Sequence, residues 1–426
     1  MLQDKNMYLN YTKTSSYLLV VTALILNISA CNLIDIKQDA NKVDSTGSIK
    51  GKIKLQTDQS GAVIVNRYHL QNKTYISDTF SRANFLGNYQ FDSYPGSYFI
   101  SAFVDNNNDG LYQENEHANF YSNEPGIPAS VLLSPGESVT IPDIIISGKL
   151  PALNIEVNKK HHLYKIISNI GRVISLDDPM FKQSNYSMGM WKPLHFLEQV
   201  GGGLFLLQPY QNNKIPVIFV HGINGGPLDW KEAIEGLNDE FFQPWILYYP
   251  SGVRLDIISD YMVQALLHLQ DKYSFDRVFI AAHSMGGLVA RSSVKKYLQQ
   301  YPEMADSLDL LITVNSPLKG MKSAALGVNN SPIVLPVWRD LAPDSKFLHD
   351  LNSWSIPETL PYHLVFSFKT DSTGDGVVPL QSQLPFKVQQ NAVKLYGFNN
   401  THVGTLKDQV FLKLFTSILD KRRSKD

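Results

Sequence analysis

The stretch Val278-Phe-Ile-Ala-Ala-His-Ser284-Met-Gly-Gly-Leu-Val-Ala-Arg291 constrains the fold more than any other part of the 426-residue chain. An apolar run stops at Ala282, an amphipathic segment starts just past Ser284 and continues to Gln300, and Ala282, Gly286 and Gly287 flank the serine. A strand that turns at once into a helix holds the serine between them on a tight bend. Only small neighbours avoid colliding there, and the hydroxyl is pushed out above the sheet. A serine that merely caps a helix would not need small residues on both sides.

The surroundings fit such a bend. Apolar runs at 215–220, 245–249, 278–282, 310–314, 362–368 and 393–398 alternate with helical segments such as 254–272. This alternation predicts a mostly parallel sheet wrapped by helices. Residues 191–197 and 203–207, joined by Gly201-Gly202, read as a hairpin ahead of it. Between residues 47 and 147 the pattern differs. Short runs such as 48–55, 62–66, 87–91, 96–104, 131–133 and 138–146 are bounded by Gly, Pro, Asn or Asp, without helical periodicity. About seven short strands in a hundred residues predict an all-β sandwich. The fold class is therefore multidomain, an all-β sandwich followed by an α/β body. No internal repeat is visible.

The N-terminus reads as an address. Lys5 and Lys13 precede the uncharged run Tyr17-Leu-Leu-Val-Val-Thr-Ala-Leu-Ile-Leu26, too short to span a bilayer comfortably. Ile28-Ser29-Ala30-Cys31 then resembles the bacterial lipobox, and Cys31 is the only cysteine. The resemblance implies acylation of Cys31 and cleavage before it. Several acyl chains would anchor the chain stably, at about 0.8 kcal/mol per buried methylene. The plainer alternatives are an ordinary signal peptide with an incidental cysteine and a loosely held membrane anchor. Asn32 in place of an acidic residue points to the outer membrane of a bacterial envelope. The expected organisation is a signal peptide at 1–30, a polar tether at 31–45, the sandwich at 46–148, a linker at 149–162 and the α/β body at 163–426.

Composition excludes some functions. With 38 Lys plus Arg against 39 Asp plus Glu, the formal charge is −1. No field collects polyanions, so nucleic acid is not an expected partner. One cysteine cannot form an intrachain disulfide or a thiolate metal cage. Nothing in the pattern speaks to oligomeric state.

Two resemblances now have their residues. The run Gly87-Asn-Tyr-Gln-Phe-Asp-Ser-Tyr-Pro-Gly-Ser-Tyr-Phe-Ile looks like the prealbumin-like or carboxypeptidase-regulatory-like sandwiches. From about Leu163 onward, Ala-His-Ser-Met-Gly-Gly resembles the α/β-hydrolase superfamily, in its triacylglycerol-lipase-like branch that includes the GPI inositol-deacylase type. Ala282 departs mildly from the first glycine of G-x-S-x-G.

That superfamily supplies catalytic partners in the order Ser, Asp or Glu, His. Downstream of Ser284 lie only His349, His363 and His402. His349 falls in a helical stretch and His363 inside a strand, whereas His402 follows the last strand on a loop. The loop after Phe368 offers Asp371 and Asp375 as the acid, and Asp375-Gly-Val-Val-Pro resembles the lipase D-G-x-V-P segment, which favours Asp375. The expected triad is Ser284, Asp375 and His402. The oxyanion donors would be the backbone N–H groups of Met285 and of Ile223, the latter in Val220-His-Gly-Ile-Asn-Gly-Gly, which resembles the family's H-G loop. His221 and His283 read as structural. No H-E-x-x-H or comparable cluster suggests a catalytic metal, so catalysis should need no cofactor.

The implied activity is a serine esterase or lipase-like hydrolase acting on lipid or acyl esters. The alternatives are acyl transfer by the same residues and a surface binding module without activity. After Thr313 to Gly320, a segment to about Leu351 rich in Pro, Ala and Leu stands where lipases carry a cap, or packs as plain core. In the sandwich, Asp105-Asn-Asn-Asn-Asp-Gly-Leu-Tyr-Gln-Glu-Asn-Glu116 matches D-x-[DN]-x-[DN]-G-x₅-E. Asp105, Asn107, Asp109, the Leu111 carbonyl and Glu116 would form a structural Ca²⁺ shell. An Asn/Asp/Gly-rich hairpin loop is the alternative.

Overall fold

The computed structural model describes residues 30–150, 153–157 and 169–424, with side chains from residue 33 onward. The expected signal segment up to residue 29, the side chain of Cys31 and half of the expected linker lie outside the described residues.

The C-terminal body is built on one seven-stranded sheet. Its spatial order is Gly203–Leu206, Phe242–Tyr248, Ile215–Val220, Val278–His283, Leu308–Val314, Tyr362–Phe368 and Lys394–Asn399. The first strand is antiparallel to its neighbour and every other pairing is parallel. Successive residues enter opposite cores: Leu204, Ile218, Leu247 and Ile280 face one side, while Phe205, Phe219, Ile246 and Phe279 face the other. Burial on both faces explains why these strands read as apolar runs without alternation. The helices Leu255–Tyr273 and Gly286–Gln300 cover the first face, and Gln409–Arg423 covers the second.

The N-terminal body has two packed sheets. Gly47–Leu55 pairs with Asn88–Ser93, Ser138–Thr140 and Ile144–Ile146. Ala62–Gln71 lies between Thr74–Arg82 and Gly96–Asp105 in the other sheet. Ile49, Ile53, Val65, Phe91, Ile100, Val104 and Ile146 fill the space between them. Strand Thr74–Arg82 was not expected, because Thr, Ser and Asp make up much of it. Asp78 in that strand holds the buried Arg67 guanidinium at 2.8 Å.

Two local expectations give way to different structures. Residues 191–207 are not a hairpin. They form the helices Gln183–Trp191 and Pro193–Gln199, followed by the single strand Gly203–Leu206. Pro193 sits at the first helical position, where its missing N–H costs nothing and its fixed φ suits the helix. The expected tether is also different: Ala30–Asp44 is a helix built into the body. Ile36, Ala40 and Val43, spaced at four and three residues, are each buried, and Val43 joins the core of the C-terminal body. Asp39 accepts the Leu194 N–H at 3.1 Å and the His195 N–H at 3.3 Å. A carboxylate is favoured there, since the first amides of a helix lack partners. Asp44 adds ion pairs to Arg254 and Arg339. On the sandwich side, the Lys42 ammonium lies 5.0 Å from the Tyr94 ring centroid.

The two bodies meet along the helix Leu255–Tyr273. Arg82 of the sandwich pairs with Asp271, and its backbone N–H donates to Gln264 at 3.2 Å. A cavity of about 220 Å³ lies in this seam, with Phe91, Asp92, Ile258 and Asp260 among its walls.

Candidate active site

Ser284 lies between the strand Val278–His283 and the helix Gly286–Gln300, at φ +55°. A non-glycine residue in that region is strained by roughly 1–2 kcal/mol, and packing on every side holds it. The small neighbours have visible reasons. A Cβ on Gly286 would run into the His221 carbonyl oxygen, and one on Gly287 into the Ser316 side chain. Ala282 is fully buried and pairs with Val220 on one side and Thr313 on the other.

The side chains that chain order picked out stand in one line. His402 Nε2 is 2.8 Å from Ser284 Oγ, and His402 Nδ1 is 2.7 Å from Asp375 Oδ2. An ionised carboxylate only accepts hydrogen bonds. Nδ1 therefore carries the proton, and the Nε2 lone pair faces the serine hydroxyl. Asp375 follows Tyr362–Phe368 and His402 follows Lys394–Asn399, so the trio collects at the carboxyl ends of the strands. All three residues are buried, whereas Asp371, the other acid of that loop, is exposed.

Asp375 is fixed from several directions. Its Oδ1 accepts from the Val377 N–H at 2.9 Å and the Val378 N–H at 2.7 Å. Gln383 Nε2 donates to Oδ2 at 3.3 Å, and to the carbonyls of Ser367 and Val378 at 3.0 Å each. The His402 backbone is also held: its carbonyl accepts from Asn315 Nδ2 at 2.8 Å and from His283 at 3.0 Å. No local pattern in the sequence marks Gln383 or Asn315, because their roles depend on partners that meet them only in the folded chain, Ser367 for Gln383 and His402 and Thr405 for Asn315.

The loop after Ile215–Val220 closes on the serine. A Cβ on Gly222 would lie 2.8 Å from Ser284 Cβ, so the backbone passes directly against the Ser284 side chain. His221 Nδ1 donates to the Gly222 carbonyl at 2.8 Å, and its Nε2 accepts the Tyr249 N–H at 3.3 Å. Its ring stacks on Tyr249 with 4.2 Å between centroids. Holding the Gly222 carbonyl turns the Ile223 N–H of the same trans peptide the opposite way. Burial pushes the His221 pKa down to about 4. His283 falls to about 3, through burial first and then the neighbouring His402. Both imidazoles are neutral at pH 7, leaving His402 free of a charged histidine neighbour.

The Asp105–Glu116 loop stands apart from this chemistry. Asp105 accepts the Asp109 and Gly110 N–H groups at 3.2 and 2.9 Å, and Glu116 accepts those of Asn106 and Gln113 at 2.9 Å each. Asp109 accepts the Leu111 N–H at 2.8 Å and is bonded to the Asn107 amide at 3.0 Å. Among the described residues, no three His, Cys, Asp or Glu side chains are placed to hold a metal ion.

Residues 254–394 match the model of a family described as "Alpha/beta hydrolase of unknown function (DUF915)". The match includes Ser284 and Asp375 and stops short of His402. The C-terminal body has the α/β-hydrolase fold. Among solved structures, the chain is similar to the mature lipase BlEst2 of Bacillus licheniformis, at 16% identity and TM-score 0.41 over 51% of this chain and 97% of that one. Est1E of Butyrivibrio proteoclasticus, solved with ferulic acid, gives 16% and 0.41 over 53% and 97%. The lin2722 product of Listeria innocua gives 16% and 0.38 over 49% and 94%. No curated protein matches the sequence.

Proposed function

We propose that the protein is a serine hydrolase of carboxylic esters, acting through an acyl-enzyme. The observation that carries this reading is the continuous hydrogen-bonded line from Ser284 Oγ through His402 to Asp375. Ser284 Oγ attacks the ester carbonyl carbon while its proton passes to His402 Nε2, and Asp375 stabilises the resulting imidazolium. The carbonyl oxygen becomes an oxyanion, received by the backbone N–H groups of Ile223 and Met285. Each donor is worth on the order of 3 kcal/mol of transition-state stabilisation. The tetrahedral intermediate collapses as the imidazolium gives its proton to the departing alcohol. Water, deprotonated by His402, then attacks the acyl-enzyme and releases the acid.

Lipid or acyl esters are the proposed substrate class. The support is the predicted export signal with Cys31 as an acylated anchor, which would hold the chain at a bacterial envelope membrane. Among the described residues no helix is long and apolar enough to cross a membrane.

The test is release of p-nitrophenol from short- and medium-chain esters by wild type and by Ser284→Ala. The variant should lose activity while melting within a few degrees of wild type. Full activity in the variant would refute the mechanism. For the anchor, Cys31→Ser should move the protein from the membrane to the soluble fraction.

A further inference from the structure

The helix Ala30–Asp44 begins one residue before Cys31 and is fastened to the body, so the point of anchoring has a fixed place on the surface. Around that place runs a chain of apolar side chains. Leu33 is 37% and Ile34 55% exposed, and the next residue, Asp35, pairs with Lys192 at 3.4 Å. Trp191, beside Lys192, is 37% exposed, and its ring stands edge-on to Trp338 at 6.1 Å. The helix Lys322–Asn330 lies over Trp338, close enough that a Cβ on Gly327 would come within 2.7 Å of the indole. In that helix Ala325, Leu326 and Val328 remain at least partly exposed, Leu326 at 63%, and only Ala324 is buried. The helix thus packs one side on Trp338 and turns Leu326 outward.

The same elements border the catalytic serine. The Gly252 N–H donates to the Gly189 carbonyl at 2.9 Å, and the Val337 N–H donates to the Gly252 carbonyl at 3.2 Å. Ser251 Oγ, one residue away, accepts the Asn224 N–H at 3.0 Å, next to Ile223. Trp191 and Trp338 therefore stand two residues and one residue from hydrogen bonds that tie this rim to the loop over Ser284.

We infer that the face formed by Leu33, Ile34, Trp191, Trp338 and Leu326 lies against the lipid bilayer, with the mouth of the Ser284 site opening toward it. The occupant is a lipid surface because the helix that carries Leu33 and Ile34 begins at Ala30, beside Cys31, whose acyl chains would hold the face at the membrane. Aromatic rings and aliphatic side chains suit the interfacial layer, where apolar bodies sit beside headgroups. The substrate ester would then pass from the leaflet to Ser284 without crossing bulk water. This inference rests on the proposed anchor and esterase activity.

The test uses the full chain, exported and processed by a bacterial host, then reconstituted into phosphatidylethanolamine and phosphatidylglycerol vesicles with plain or dibrominated acyl chains. Brominated chains should quench tryptophan emission, and a Trp191→Phe/Trp338→Phe variant should lose most of that quenching. Equal emission from both vesicles overturns the proposal. Ile34→Asp with Leu326→Asp should reduce hydrolysis of a vesicle-borne fatty-acid ester by about tenfold, while p-nitrophenyl butyrate turnover stays within about twofold. Unchanged vesicle-ester hydrolysis also overturns it. A wild type inactive on both esters removes the esterase reading, and a wild type recovered as soluble protein removes the anchor. In either case, quenching on adding the protein to the vesicles still decides the face.

Discussion

Gln383 and His402 meet at the same oxygen: Asp375 Oδ2 accepts from Gln383 Nε2 at 3.3 Å while lying 2.7 Å from His402 Nδ1. The amide also bonds the Ser367 backbone through both its ends. One side chain thus fixes the acid loop against the strand before it.

Gln383→Leu should act through position, since Gln383 touches no reacting atom. Loss of its bonds leaves buried backbone groups without partners, at about 1–3 kcal/mol of stability. The freed carboxylate should lower kcat on the order of tenfold, with KM little changed. Steady-state kinetics and denaturant melts check both parts, and a stability loss without a kcat loss would reduce Gln383 to packing.

Gly222→Ala should harm catalysis far more than folding. The added methyl must displace either the loop or the serine, and misplacement of about 1 Å costs on the order of 100-fold in rate. Kinetics with a soluble ester, read beside the melting temperature, separate the two effects.

The seam between the bodies should carry a pH dependence. Burial pushes the Asp260 pKa up to about 7; Lys296 opposes the shift, and Asp92 and Asp256 add to it. Asp92 is raised as well, by burial first. A raised carboxyl binds its proton more tightly in the folded state. Its destabilising effect is therefore absent below about pH 4, the unfolded value, and grows as pH climbs toward 7. Asp260→Asn should gain melting temperature over wild type across that window and little below it. A gain independent of pH would count against the assignment.

The Asp105–Glu116 loop is closed by its own amides, which predicts a melting temperature insensitive to EDTA. A rise on adding calcium would show instead that the five oxygens of the motif gather around the ion.

The parts of the site visible in the sequence are those that local sterics and chain order dictate. Ala282, Gly286 and Gly287 betray the bend because their size is a local demand, and His402 stands out because few histidines follow Ser284. Gln383 and Asn315 are invisible because both hold Ser367, and Asn315 the His402 carbonyl, only once the chain has folded. The helix Ala30–Asp44 was hidden for another reason. Its apolar residues past Ile34 are only Ile36, Ala40 and Val43, and the interaction that fixes it is a carboxylate, Asp39, which in the sequence is ordinary polarity. The misread hairpin at 191–207 shows apolar runs too short to settle their own period, decided by Pro193.

The fastening of that first helix changes where the molecule can be cut. A shortened chain starting at residue 46, beside the first strand, would strip Val43 from the hydrolase core and leave the Leu194 and His195 amides facing water. Arg254 and Arg339 would each lose a carboxylate at the same stroke. Truncation there would wound a domain whose own strands begin more than 150 residues downstream.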